Sequence, residues 1–171
     1  MNHENIVNRR KQGDAKAQKV LYDFFAPEML GIAYRYVAGY DLANELLQLT
    51  FIKAFNNINH VDSQKIRSWL KKITVNTALN ILKQERKSNE PLNEDCFKVQ
   101  ISSEEYASDI IYLINRLPKS KRIIFNLHAI EGYSFKEIGQ MLNLTEGNAK
   151  IKYHRTKKEV QKLLESYFIT D

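Results

Sequence analysis

The sequence predicts an all-α protein made of two small helical domains joined by an acidic linker. Apolar residues recur at helical spacing over most of the chain, and no segment shows the sustained apolar–polar alternation of a half-buried strand. Six glycines and three prolines are too few for a sandwich or barrel rich in tight turns. The 171 residues, 43% of them hydrophobic, suit one medium-sized or two small globular domains.

Charge divides the chain into three blocks. Residues 1–88 carry a net charge of +6, residues 89–108 carry −4, and residues 109–171 carry +4. Because the middle block has no helical apolar period, we interpret it as a flexible linker between basic domains at 1–88 and 109–171. The overall charge of +6 and the pI of about 9.3 favour an acidic partner such as nucleic acid.

The first domain is predicted to consist of successive amphipathic helices. Its apolar residues at helical spacing are Ala17, Val20, Leu21, Phe24, Phe25, Leu30, Ala33, Tyr34 and Val37, followed by Leu46, Leu47, Phe51, Ile52, Phe55 and Ile58. We expect a loop from Asn56 to Ser68 and a further helix from about Arg67 to Arg86. The apolar face of that helix is predicted at Leu70, Ile73, Thr77 and Ile81.

The same helix carries a polar face, made by Lys72, Asn76, Asn80, Gln84 and Lys87 at i, i+4 spacing. Lysines can bind a nucleic-acid backbone, and an asparagine amide, which both donates and accepts, can recognise an unstacked base. A solvated face with the asparagines at a domain seam is the alternative interpretation. We interpret Trp69 as a core anchor rather than a stacking platform, and Tyr34 and Tyr36 as core or rim residues.

The clearest local signal lies in the second domain, between Tyr133 and Ile138. Ser134 can cap a helix, and Glu137 at the third helical position completes a capping box. Tyr133 and Ile138 occupy the two positions of a hydrophobic staple. These residues predict a helix from about Phe135 to Leu142.

A second helix follows after a short turn. Gly132 suits the end of a preceding helix, Ile123 to Glu131. Residues 143–145 form the turn, and Thr145 can cap a last helix of about Glu146 to Leu164. Two helices joined by a three-residue turn form a helix-turn-helix, in which the small Gly139 and Ala149 would allow close approach.

The last helix has the distribution of a DNA-recognition helix. Its apolar stripe is Ala149, Tyr153, Val160 and Leu163/Leu164, and its other faces carry Lys150, Lys152, His154, Arg155, Lys157, Lys158 and Lys162. Such a helix fits the major groove, where residues near its N-terminus reach base edges and later ones meet phosphate. An ordinary helical hairpin with a solvated basic face is the alternative.

Two further stretches connect the domains to a known family. Glu45 to Phe55 and Arg67 to Leu82 resemble the polymerase-binding and promoter-melting helices of bacterial sigma factors, in the extracytoplasmic-function (ECF) group of the sigma-70 family. The pattern Trp69-Leu70, Asn76-Thr77-Ala78 and Asn80 is the most specific part of this resemblance. The second domain is similar to the family's other domain from Leu117-Pro118 to Leu164, so the two domains correspond to sigma regions 2 and 4.

The resemblance implies a role for each surface. Region 2 would dock on the clamp helices of core RNA polymerase and capture the single-stranded −10 element, while region 4 would bind the −35 duplex and the polymerase flap. The implied polymerase-binding residues are Glu45, Gln48 and Phe51; the −10 residues are Lys72, Asn76, Asn80 and Lys83; and the −35 residues are Lys150, Ile151, Lys152, His154, Arg155 and Lys158. The loop Asn56 to Ser68 would hold an extruded base. An anti-sigma factor would be a further partner.

The chain departs from the family pattern at several positions. Leu42, Asn44 and Leu49 stand where the docking motif usually has acids, which indicates a divergent clamp surface or a more apolar contact. Ile66 stands where an aromatic residue is usual. Asn148 and Ile151 replace the common Thr and Ser of the recognition helix, so the promoter sequence cannot be copied from a relative.

Other classes find little support in the sequence. The four histidines show no metal-ligand spacing, Cys96 has no patterned partner, and there is no phosphate-binding glycine motif, so we expect no catalytic residues, metal, cofactor or enzymatic activity. A single cysteine fits a reducing cytosol. The sequence contains no run of 18 apolar residues, so we expect no transmembrane helix. The alternatives to a sigma factor are an autonomous helix-turn-helix regulator and a protein that only titrates polymerase or another regulator.

Overall fold

The computed structural model describes residues 3–12, 14–88 and 111–168, and within them all regular secondary structure is helical, which confirms the predicted fold class. The predicted linker, residues 89–108, lies outside the described residues. The chain forms two compact units, Met1–Asp95 and Cys96–Asp171, which we call the N-terminal and C-terminal units. None of the helices in the described ranges is long and apolar enough to cross a membrane.

The N-terminal unit is built around three long helices. In its described part the elements are α1 (His3–Lys11), α2 (Ala15–Val37), α3 (Tyr40–Asn57), two 3₁₀ turns at Ile58–His60 and Ser63–Lys65, and α4 (Ile66–Ser88). Helices α2, α3 and α4 each pack against the other two, and α1 packs on α2 and on both turns. The largest fully buried side chains of this core include Phe25, Met29, Tyr36, Leu46 and Leu70.

Helix α2 begins at a charged cap. The carboxylate of Asp14 accepts hydrogen bonds from the backbone amides of Lys16 and Ala17, and Arg9 forms an ion pair with it at 2.6 Å. The hydrogen bond from Arg9, followed by that from the Ala17 amide, lowers the pKa of Asp14. The end of α1 is thereby tied to the start of α2. The helix ends at Val37, and the next residue, Ala38, adopts a left-handed φ of 56°.

Two of the predicted apolar positions face solvent. Phe24 in α2 is 42% exposed and Ile52 in α3 is 57% exposed, whereas their neighbours Phe25 and Phe51 are buried. A run of adjacent apolar residues does not show which of them faces inward, because successive residues of a helix point about 100° apart and packing decides which of those directions is buried. The interpretation of the tyrosines is confirmed, since Tyr36 is fully buried and Tyr34 half-buried.

The core face of α4 agrees with the predicted one at Leu70 and Thr77, which are buried, but not at the two predicted isoleucines. Buried residues recur every four positions, at Ile66, Leu70, Thr74, Ala78 and Leu82, with Val75 and Thr77 beside them. Ile73 and Ile81, which the sequence placed on the apolar face, are only half-buried. The hydroxyl of Thr74 fits the core because it donates to the carbonyl of Leu70 at 2.9 Å.

The predicted loop from Asn56 to Ser68 is shorter and more ordered than expected. Helix α3 continues to Asn57 and α4 starts at Ile66, so the connection consists of the two 3₁₀ turns. Ile58 and Val61 are buried in it. The ammonium group of Lys11, in α1, donates a hydrogen bond to the carbonyl of Val61 at 2.6 Å. Helix α1 therefore holds the connection in place.

The C-terminal unit contains the predicted helix-turn-helix. Residues 111–115 are helical, α5 (Lys119–Phe125) continues as a π-helical turn at Asn126–Ile130, and α6 (Phe135–Leu142) and α7 (Glu146–Phe168) follow. Helix α5 starts four residues before the predicted Ile123, because the carbonyl of Pro118 accepts the amide of Arg122 and starts the helix there. Gly132, with a φ of 80°, follows the π-helical turn as predicted.

Candidate nucleic-acid-binding surfaces

The start of α6 is fixed by the predicted capping box. The hydroxyl of Ser134 accepts the amide of Glu137 at 3.3 Å, and the Glu137 carboxylate accepts the amide and hydroxyl of Ser134 at 2.8 and 2.7 Å. Tyr133 precedes the box, and burial, followed by the nearby charges of Glu131 and Glu137, raises its pKa. Local hydrogen bonds therefore mark where this helix begins.

The turn between α6 and α7 has three residues. Asn143 adopts a left-handed φ of 56°, and the amide of Leu144 donates to the carbonyl of Gly139 at 2.8 Å. The hydroxyl of Thr145 accepts the amide of Asn148 at 3.2 Å, which confirms the predicted cap of α7. Gly139 meets the backbone of this turn, so its small size serves the turn itself, and Ala149 is fully buried on the inner side of α7.

An aromatic cluster, which the sequence analysis missed, joins α7 to the helices before it. The ring of His128 stacks on Phe135 at 4.1 Å and meets Tyr153 edge-on at 4.4 Å, and Phe125 and Tyr153 stack at 6.3 Å. Nδ1 of His128 lies 2.8 Å from the carbonyl of Tyr133, which can only accept, so Nδ1 carries the proton. An ion pair between Lys121 and Glu159, at 2.6 Å, adds a second tie between α5 and α7.

The outer side of α7 carries all six residues predicted to contact duplex DNA. Ala149, Tyr153, Thr156 and Val160 are buried against the rest of the unit. The exposed residues are Lys150, Ile151, Lys152, His154, Arg155 and Lys158. Thr156 was not predicted in the core, where its hydroxyl donates to the carbonyl of Lys152 at 2.9 Å. The surface is thus a basic helix face held by an aromatic support, a shape suited to the major groove.

A second surface lies on α4 of the N-terminal unit. The side chains of Lys72, Asn76, Asn80, Lys83 and Gln84 are all exposed, as the i, i+4 pattern predicts. An open groove of about 490 Å³ lies beside them, lined by Lys53, Asn57, His60, Trp69, Ile73, Asn76, Thr77 and Asn80. Asn76 and Asn80 line the groove, whereas Lys72 and Lys83 do not.

Two features of this groove could not be predicted from the sequence. Lys53, on α3, donates to the hydroxyl of Thr77 on α4 at 3.2 Å and places a cation at the groove wall. Trp69 lines the groove and also a small cavity in the core beside Phe51 and Leu70, so it is an anchor and a wall at once. The groove therefore offers an indole ring, amides and an ammonium group to a ligand.

The third predicted surface lies on α3. Glu45 and Gln48 are exposed, but Phe51 is only 3% exposed and packs on Tyr22 and Phe55 at ring distances of 4.7 and 5.5 Å. The burial of Phe51 limits it to supporting this surface from within. Ile52 is exposed on the same face as Glu45, about two helical turns further on.

Where the family has acids, the chain presents apolar and amide groups. Leu42 and Leu49 are half-buried, and the amide of Asn44 donates to the carbonyl of Tyr40 at 2.9 Å.

The described residues contain no group of three or more histidine, cysteine, aspartate or glutamate side chains arranged to hold a metal ion.

Comparison with family profiles gives two matches in the order of the chain. The profile described as Sigma-70 region 2 matches residues 21–88, and the profile described as Sigma-70, region 4 matches residues 108–160. Together they cover most of the chain. The first ends at the last residue of α4, and the second includes α6, the turn and α7 as far as Val160.

Curated relatives match over most of their length. The ECF RNA polymerase sigma-E factor of Haemophilus influenzae is 25% identical, with 91% of this chain and 92% of that protein aligned. The ECF RNA polymerase sigma factor SigW of Bacillus subtilis is 24% identical, with 92% and 94% aligned. The RNA polymerase sigma factor SigZ of the same bacterium is 30% identical, with 83% of each chain aligned.

Two solved structures have a similar fold. One is CnrH in complex with the cytosolic domain of CnrY, with a TM-score of 0.56, 16% identity, and 97% of this chain and 99% of that chain covered. The other is the sigma factor RpoE in complex with the anti-sigma factor NepR from Bartonella quintana, with a TM-score of 0.59, 20% identity, and 86% and 96% covered.

Proposed function

The chain belongs to the ECF group of the sigma-70 family, and on this premise we propose that it binds core RNA polymerase and directs it to specific promoters. The observation that carries the proposal is the presence of both family regions on one chain, each with an exposed surface suited to nucleic acid. A helix-turn-helix alone would fit many regulators. A second region with a polymerase-docking and single-strand surface distinguishes a sigma factor from them.

The two nucleic-acid surfaces have different chemistry and, in our proposal, different ligands. The outer side of α7 binds the −35 element as duplex, with base contacts along its outer face and flanking lysines on phosphate. The groove on the N-terminal unit takes one unstacked base of the −10 strand, with Asn76 and Asn80 as hydrogen-bonding groups and Trp69 as an apolar wall. The loss of stacking on extraction would be offset by these contacts.

The docking surface on α3 forms the contact to the polymerase clamp in this proposal. Glu45 and Gln48 supply its polar groups, and Ile52 supplies exposed apolar area. The absence of acids at Leu42, Asn44 and Leu49 makes this contact more apolar than the family pattern. We propose a cytoplasmic site of action, beside the polymerase, and assign the chain no catalytic activity of its own.

Regulation by an anti-sigma factor is part of the proposal. It is supported by the solved complex of RpoE with NepR, whose sigma chain has a fold similar to this one. Co-purification of the tagged chain from its host, followed by mass spectrometry, would identify such a partner. The recovery of polymerase subunits alone would remove the anti-sigma factor from the proposal.

Run-off transcription with purified core polymerase tests the main proposal. Core polymerase with the chain should give discrete transcripts from genomic templates, and sequencing of their 5′ ends should give start sites with shared −10 and −35 elements. Core polymerase alone is the control. Fluorescence anisotropy with the promoters so found adds a second test, because specific binding by the free chain, without polymerase, would instead indicate an autonomous regulator.

A further inference from the structure

Ile151 lies on the outward side of the recognition helix α7. Successive residues of an α-helix are rotated by about 100°. Taking Ala149 as zero, the buried residues Tyr153, Thr156 and Val160 lie within about 40° of it, and Ile151 lies at about 200°. Ile151 therefore points away from the core, and its side chain is 52% exposed although it is wholly apolar.

The neighbours of Ile151 on this outer face are polar, charged or without a side chain. Gly147, His154, Arg155 and Lys158 lie within about 60° of it on the helix. Single exposed apolar residues are common on protein surfaces and need no explanation by themselves. Here, however, the residue stands at the centre of a basic face, in the second turn of α7, and duplex DNA is the proposed ligand of that face.

The chemistry of the major groove limits what an isoleucine can contact there. Base edges offer hydrogen-bond donors and acceptors, which an aliphatic side chain cannot pair, and one apolar group, the C5 methyl of thymine. A base edge with a hydrogen-bond donor or acceptor opposite Ile151 would lose water without gaining a hydrogen bond. We therefore propose that Ile151 reads a thymine in the −35 element through its C5 methyl group, and this inference rests on the proposed function.

Lys150 and Lys152 flank the outer face of α7 that carries Ile151. They lie at about 100° and 300° on the same scale, on either flank of the outer face. Side chains on the flanks of a helix inserted in the groove face the two phosphate backbones. The helix then has cationic flanks on the backbones and an apolar centre on the bases, with His154 and Arg155 beside Ile151 for hydrogen-bonded contacts.

Substitution of thymine by uracil isolates the methyl group, because it leaves the pairing edge and O4 unchanged. The probe is a duplex that carries the −35 and −10 elements of the strongest promoter found by run-off transcription. Each thymine of its −35 element is replaced in turn by deoxyuridine, and the Kd of the full chain in complex with core polymerase is measured at fixed salt. At one position the uracil duplex should bind roughly fourfold more weakly, as expected for one buried methyl group.

The variants assign that loss to Ile151. Ile151→Ala should bind the thymine and uracil duplexes equally, while Ile151→Val should keep part of the difference. Ile130→Ala is the matched control, because Ile130 is an exposed isoleucine in the same unit that is not part of α7, and this variant should keep the full difference.

Two results would overturn the inference. The first is that wild-type holoenzyme binds every uracil-containing duplex as tightly as the thymine duplex. The second is that holoenzyme with Ile151→Ala still binds the thymine duplex more tightly than the uracil duplex. In both cases promoter binding by the holoenzyme persists and the proposed function stands. A holoenzyme that binds no promoter duplex more tightly than a scrambled one would instead contradict the proposed function.

Discussion

A Cβ atom on residue 139 would lie 2.7 Å from the carbonyl oxygen of Leu144, so Gly139 is needed where the turn of the helix-turn-helix closes. The obstacle is backbone, which cannot move aside without opening the turn. Gly139→Ala should therefore destabilise the C-terminal unit by about 1–3 kcal/mol, the usual cost of overpacking. Urea unfolding of the full chain, followed by circular dichroism, measures the change.

The matched control for this substitution lies four residues after the turn begins. A Cβ atom at Gly147, in the first turn of α7, meets nothing within 4 Å. Gly147→Ala should leave the stability unchanged or raise it by up to about 1 kcal/mol, because alanine favours helix. A Gly139→Ala protein as stable as Gly147→Ala would show that the turn can open at no cost.

The helix-turn-helix could be predicted closely because its signals are local. The capping box of Ser134 and Glu137 and the cap at Thr145 each involve residues three positions apart, so the sequence contains both partners. The predicted helix Phe135 to Leu142 agrees with the structure residue for residue. Local hydrogen bonds of this kind do not depend on the rest of the fold.

Tertiary packing accounts for what the sequence could not give. On α4, Thr74 and Ala78 are buried while the more hydrophobic Ile73 and Ile81 are only half-buried, because contact with α2 and α3 decides which face is inside. The role of His128 was missed for a similar reason, since its ring partners Phe135 and Tyr153 come from other helices. The groove on the N-terminal unit likewise depends on how α3 and α4 meet.

The recognition helix allows base contacts to be separated from phosphate contacts. Arg155, on the outer face, should contribute to base readout, so Arg155→Ala should cost roughly 1–3 kcal/mol on the cognate −35 element and less on a scrambled one. Lys150, on the flank, should instead contact phosphate. Lys150→Ala should weaken binding to both duplexes alike. It should also reduce the slope of log Kd against log salt concentration by about the amount that one phosphate contact contributes.

Anisotropy titrations of the holoenzyme at several salt concentrations make this comparison. Lys152→Ala is a second flank variant and should behave as Lys150→Ala does. A sequence-dependent loss in Lys150→Ala, or equal losses on both duplexes in Arg155→Ala, would reverse the two assignments.

The pKa of Asp14 links pH to the attachment of α1. Its folded-state pKa is lowered, mainly by the hydrogen bond from Arg9, so the carboxylate stabilises the fold above its unfolded-state pKa. That contribution begins to be lost as the pH falls below the unfolded-state pKa of about 4, and it is fully lost once the pH is below the lowered folded-state pKa. NMR titration should place the pKa of Asp14 below 3.8, and Arg9→Ala should raise it. An Asp14 pKa that Arg9→Ala leaves unchanged would contradict the pairing.

The docking surface on α3 predicts an apolar contribution to polymerase binding. Ile52→Ala should weaken binding of core polymerase by roughly 1–2 kcal/mol, because a half-exposed isoleucine would become buried in the complex. Glu45→Gln should have a smaller effect, which shrinks further as salt rises. Tyr112→Ala, at an exposed aromatic residue of the other unit, is the control. Unchanged affinity in Ile52→Ala would remove this residue from the interface.

The groove beside α4 predicts a defect in promoter melting rather than in promoter binding. Asn80 lines the groove and is exposed, so Asn80→Ala should leave closed-complex formation intact and reduce the open complex by roughly tenfold, the loss expected for one or two hydrogen bonds to an unstacked base. Permanganate footprinting of unpaired thymines measures the open complex. Asn8→Ala is the matched control, because Asn8 is an exposed asparagine of α1 in the same unit and does not line the groove. Normal permanganate reactivity in Asn80→Ala, or an equal loss in Asn8→Ala, would mean that the base is held elsewhere on the N-terminal unit.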